Sequence, residues 1–360
     1  MAALLVTWRG DSAADAVRNR RLRLVTGPLT FMLAPLRLWY FPGPAVTVVS
    51  QVMTGLAAAF IAPLMTAMTL GLTGPEKFGH QTGRNEAFNH AGNMTAAAVA
   101  GASVWYWGTG AVFVLMTVMA LLATVFVMGI RERDIDNRLA RGLNADAGHA
   151  ALPRLSVLLH EPALLFSGIT VLLFHLGNAA LLPMLSVRVA ASPEAGINPG
   201  VFAAATVIIS QAVMIPAALY AARKAQCAGY ISLITAALCI LPVRAVVASL
   251  GDGIGFMPVI QILDGMSAGL LGVAVPGFVV SVLNGKGHTN AGQSFILLMQ
   301  GAGAALGPAM TGTLISRCSY SAAFAIMGAL AVIALIIWLA GQRTSLLTPD
   351  APPSQSGEEA

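Results

Sequence analysis

The chain alternates long apolar runs with short polar turns, and the runs are too long for strands or for core helices of a soluble domain. A stretch of about 20 apolar residues is enough to cross a bilayer as a helix. On that measure spans are predicted over about 44–71, 88–106, 109–130, 162–187, 199–221, 228–250, 256–283, 291–315 and 321–341. A tenth, over 22–41, is weakened by Pro28, Pro35 and Arg37. Between the first two strong spans, Thr73 to Glu86 reads as a polar turn. The longest polar segment between spans starts at Arg131 and carries Arg133, Arg138 and Arg141, so it is expected to be cytoplasmic. Alternation from that loop puts Arg223-Lys224, Lys286 and Arg343 on the same side. Loops 190–198, 251–254 and 317–319 then face out with little positive charge.

Part of the pattern occurs twice. Gln51-Val-Met-Thr54-Gly55, with Pro63 further on, is echoed 210 residues later by Gln261-Ile-Leu-Asp264-Gly265, with Pro276 further on. Ala91-Gly92 through Gly101 likewise resembles Gln300-Gly301 through Gly312. Paired spans of this kind mark secondary transporters, whose binding sites lie near the membrane midplane between repeats.

Composition supports the membrane reading. Hydrophobic residues make up 57% and charged residues 10%, against about 25% charged in soluble domains. The mean hydropathy is +0.77. The net charge of +5 sits in short loops beside apolar runs, which argues for a lipid bilayer as partner and against nucleic acid. Cys227, Cys239 and Cys318 have no metal-ligand rhythm. His80, His90, His149 and His160 form no ligand spacing with an acid, so neither a metal nor a cofactor is expected.

The predicted architecture is an all-α integral membrane protein of about ten transmembrane helices in two pseudo-symmetric bundles. Its expected parts are a basic cytoplasmic segment (1–21), an incomplete N-terminal bundle (22–130), a cytoplasmic linker (131–161), a six-helix bundle (162–341) and a disordered cytoplasmic tail (342–360).

With its repeat, basic middle loop and Gly- and Pro-rich helices, the chain resembles the major facilitator superfamily over about Asp15 to Gly341. The family's cytoplasmic turn between its second and third helices reads roughly G-x-x-x-D-R-x-G-R-R. Asp15, Arg18, Arg20 and Arg21 fit it, without the glycine after the acid. Gly301, Gly303, Gly307, Pro308 and Gly312 resemble the family's Gly/Pro antiporter motif, but in the eleventh helix instead of the fifth, so antiport does not follow. These positions are expected to let helices approach closely. Family members have twelve helices in two bundles of six, so the resemblance implies a first bundle lacking one or two helices.

A few polar residues fall inside spans. Asp264 is the foremost, because a carboxylate in hydrocarbon costs on the order of 3 kcal/mol and normally faces a cavity or a partner. Burial disfavours the charged form of a carboxyl, so Asp264 is a candidate for proton coupling. His175 and Asn178, three apart, share a helix face; His175 is a second proton-coupling candidate and Asn178 a pathway candidate. Asn89 and Asn93, near Glu86 at the cytoplasmic entrance of their helix, are further pathway candidates, as are Gln51, Gln261 and Gln300. Arg244 is expected to snorkel or pair at the outer end of its helix.

The expected function is secondary active transport of a small solute by alternating access, with proton-coupled efflux as its specific form. A monomer in the plasma (inner) membrane is expected, with protons as coupling partner. The alternatives are an N-terminally truncated, transport-inactive fragment from a mispredicted gene start, and a membrane-embedded lipid-modifying enzyme. No catalytic residues point to the enzyme.

Overall fold

Each described apolar run folds as a helix. The computed structural model describes residues 29–143, 160–181, 184, 199–250, 254–344 and 347, apart from residues 31, 34, 35, 42, 109 and 287. The basic turn at Asp15, Arg18, Arg20 and Arg21 lies outside them. Within the doubtful span over 22–41, residues 36–40 are helical, and Trp39 stacks on Phe113 with ring centroids 5.8 Å apart.

The first strong helical stretch, Pro44–Trp107, is two helices joined at Gly74, whose φ of 70° only glycine adopts without strain. These are α1 (44–73) and α2 (75–107). The expected polar turn over Thr73–Glu86 is therefore corrected to a one-residue break. Pro75, with its preset φ and no N–H to leave unpaired, starts α2, and the polar residues after it are helical. Then come α3 (Gly110–Met128) and α4 (Pro162–Asn178). The span expected over 162–187 is helical to Asn178, where Ala179 N–H donates to the His175 carbonyl; residues 181 and 184 are helical again, and 182, 183 and 185–187 lie outside the described residues.

The stretch Pro199–Leu250 is again two helices, α5 (199–228) and α6 (230–250), joined at Gly229 with φ 72°. Arg223 and Lys224, expected in a turn, lie on α5. The last three are α7 (Met257–Leu283), α8 (Thr289–Arg317) and α9 (Tyr320–Arg343). Six described helical segments are long and apolar enough to cross a membrane, and α7 is the most enclosed of them. By contrast α3 buries only Ala120 and turns Val118, Leu121, Val125 and Phe126 outward, as a lipid-facing helix should. Trp105, Tyr106 and Trp107 are exposed at the C-terminal end of α2, the kind of cluster that forms aromatic belts at the ends of membrane helices.

The described part of the linker docks on the first half instead of floating. Asp136 N–H donates to the Gly71 carbonyl at 2.9 Å, and Ile135 and Ala140 pack with Met68. It also reaches the second half, where Gly285 N–H donates to the Gly142 carbonyl at 2.8 Å. Lys286 and Glu161 pair at 2.6 Å on the same side.

The halves meet along α2 and α5, which run antiparallel. His90 Nδ1 and Gln211 Oε1 lie 2.7 Å apart across this seam. Nearer the start of α2, a Cβ on Gly83 would collide with Ala222, so only glycine permits this approach. Beside it Leu70, Phe78 and Val280 form a buried apolar cluster joining α1, α2 and α7.

Candidate functional site

Asp264 sits on α7 where that helix presses against α5. A Cβ at neighbouring Gly265 would lie 2.5 Å from the Ser210 carbonyl, so glycine sets the close approach. Asp264 Oδ1 is 2.9 Å from Arg244 Nη1, and their side chains are 14% and 1% exposed. Ser210 Oγ donates to Asp264 Oδ2 at 2.7 Å, and Asn178 Nδ2 reaches Oδ1 at 3.4 Å. Arg244 also donates from Nη1 to Asn178 Oδ1 and from Nε to the Ile260 carbonyl at 3.2 Å. Helices α4, α5, α6 and α7 thus converge on one charge-neutral knot.

Arg244 corrects the sequence reading. It does not snorkel outward; it is fully enclosed and answers the acid on the next helix. The signal was present: two expensive charges in adjacent apolar helices satisfy each other most readily.

Between the halves lies a cavity of about 600 Å³, within the usual range of ligand sites. His175, Asn178, Asn89 and Gln300 line it, together with Asn85, Glu86, Thr69 and Gln293. His175 Nδ1 contacts the Val171 carbonyl of its own helix at 2.9 Å. Asn85 bridges Gln81 at 2.9 Å and Thr69 at 3.0 Å, and Glu86 Oε2 accepts from Asn89 Nδ2 at 3.1 Å. Asn85 escaped the sequence reading because the start of α2 looked like a loop.

Three pathway candidates fall elsewhere. Gln261 is 0% exposed and does not line the cavity, and its amide atoms have no hydrogen-bond partner among the described residues. Gln51 and Asn93 are exposed outside it. The packing glycines also divide. A Cβ on Gly303 would collide with the Leu172 carbonyl, and one on Gly307 would lie 2.8 Å from that of Leu176. Gly301 and Gly312 face open space, and Pro308 is exposed, because only 303 and 307, four apart, share the face turned to α4.

A model of the Major Facilitator Superfamily matches residues 10–283. The chain belongs to the major facilitator superfamily. It is 32% identical over 342 residues to uncharacterized MFS-type transporters from two strains of Mycobacterium tuberculosis, covering 94% of this chain and 81% of each relative. The fold resembles the human organic anion transporter MFSD10 (TM-score 0.65, 13% identity, 94% of this chain and 81% of that one). It also resembles the E. coli fucose:proton symporter FucP (TM-score 0.66, 12% identity, 89% of this chain and 83% of that one). This MFS chain is a multi-pass integral membrane protein and a secondary transporter of small molecules, not an enzyme.

Proposed function

We propose that the protein moves a small solute by alternating access and couples that movement to protons through Asp264, acting as a monomer in the plasma (inner) membrane. Efflux driven by inward proton flow is its specific form. The observation that carries the coupling is the 2.9 Å Asp264–Arg244 pair. Arg244 stays charged at any physiological pH. A proton on Asp264 therefore leaves a buried guanidinium without its counter-ion, and the four helices gathered on the knot must rearrange or admit a new partner. One protonation event thereby biases two packings of the same helices. We assign the relay between cavity and knot to His175, which is on the cavity wall one helix turn from Asn178, itself a partner of Asp264.

The test uses protein reconstituted in proteoliposomes with an imposed pH gradient and a panel of labelled neutral, cationic and anionic solutes. Wild type should move at least one solute uphill, and a protonophore should abolish the gradient. Asp264→Asn should exchange that solute only downhill. Full protonophore-sensitive transport by Asp264→Asn would sink the coupling role.

A further inference from the structure

The Asp264–Arg244 knot is internally neutral, which leaves Glu86 as the one formal charge among the described residues lining the cavity. No lysine or arginine lines it, and the only other titratable lining group is His175. Glu86 has two polar neighbours. Asn89 donates to Oε2 at 3.1 Å, and His90 Nε2 lies 3.7 Å from the same oxygen.

His90 is buried, and its Nδ1 is 2.7 Å from the Gln211 amide oxygen. With the Gln211 amide oxygen as its partner, Nδ1 donates, and the neutral tautomer that does so leaves a lone pair on Nε2. That Nε2 has no hydrogen-bond partner among the described residues. A buried acceptor left unmatched beside a carboxylate with no lysine or arginine partner among the described residues is a corner short of donors. On the opposite wall, on α7, Gly272 faces Glu86, and a Cβ there would stand 3.6 Å from Oε2, in van der Waals contact with the carboxylate. Ile61, Met65, Leu271, Val275 and Ile296 supply an apolar surround.

We infer that this corner binds the protonated amine of a monovalent organic cation, with the ammonium N–H groups donating to the Glu86 carboxylate and His90 Nε2. The apolar body of the solute lies against the aliphatic wall. The inference names the solute class for the transport reading above and rests on it. A quaternary ammonium would satisfy the charge but not the bare nitrogen, and an anion would face Glu86 with no cation to offset it.

The experiment is equilibrium binding to the full chain in lipid nanodiscs, with empty nanodiscs subtracted. The probe is dansylcadaverine, a fluorescent primary amine, and the control is its N-acetylated, uncharged derivative. Wild type should bind the amine at least about tenfold more tightly than the control. Glu86→Gln should lose at least about tenfold in affinity for the amine and little for the control, and Glu86→Asp should fall between. Gly272→Val, which adds bulk and no charge, should also weaken the amine and carries the test if Glu86→Gln elutes as aggregate. Equal affinity for the two probes, no binding of the amine, or unchanged binding by folded Glu86→Gln and Gly272→Val would each overturn the proposal. Binding is read without a pH gradient, so its failure is a separate result from loss of coupling in Asp264→Asn.

Discussion

Arg244→Ala should destabilise the protein by about 3–5 kcal/mol, the range seen when one partner of a buried ion pair is removed. The size follows from what is stranded. Asp264 loses its counter-ion, and the Asn178 and Ile260 oxygens lose the guanidinium donors they face. Asp264→Ala should be comparably harmful, because it abandons a guanidinium that is 1% exposed. The double variant Asp264→Leu with Arg244→Met should recover most of the loss, since an apolar pair of similar volume removes both charges together. Thermal unfolding in one detergent at fixed pH reads all three. A single variant that melts with wild type would show that the pair does not hold the four helices together. The double variant should also remain unable to drive solute uphill, which separates holding the fold from coupling.

The second large effect is expected at Gly303. A valine there meets the Leu172 carbonyl, with Leu176 N at 2.9 Å and His175 Cβ at 3.1 Å from the new Cβ. Two of these atoms belong to the α4 backbone and cannot step aside by changing rotamer. Overpacking of this kind costs about 1–3 kcal/mol, or more where backbone must move. The displaced helix carries His175 and Asn178, so solute transport should fall with the melting temperature. Gly301→Ala, two residues away with nothing within 4 Å, should leave both within about 0.5 kcal/mol of wild type. Equal melting of the two variants would mean that α8 does not pack on α4 through this face.

What the sequence revealed depended on whether the signal was local. Asp264 stood out because a lone acid in an apolar run is costly wherever it points. Its partner Arg244 is on a different helix, and a span's end looks the same whether the side chain turns out to water or in to an acid. The Gly74 break was legible at Thr73-Gly-Pro75, but the polar residues beyond it resembled a loop. Of those residues Thr82, Asn85 and Glu86 line the cavity while Glu76, Lys77, His80 and Arg84 are exposed outside it, and hydrophobicity does not tell the two groups apart. Gly303 and Gly307 were legible as a spacing of four on one helix face. Gly301 lies about 200° around the helix from Gly303, and counting glycines does not see the angle. The His90–Gln211 contact joins positions 121 apart, and no local pattern carries it.

The cluster of Leu70, Phe78 and Val280 draws on three helices from both halves of the chain. Hydrocarbon side chains can neither donate nor accept a hydrogen bond, so this contact gives water no foothold between the halves. Any motion that parts the halves there must wet all three side chains at once.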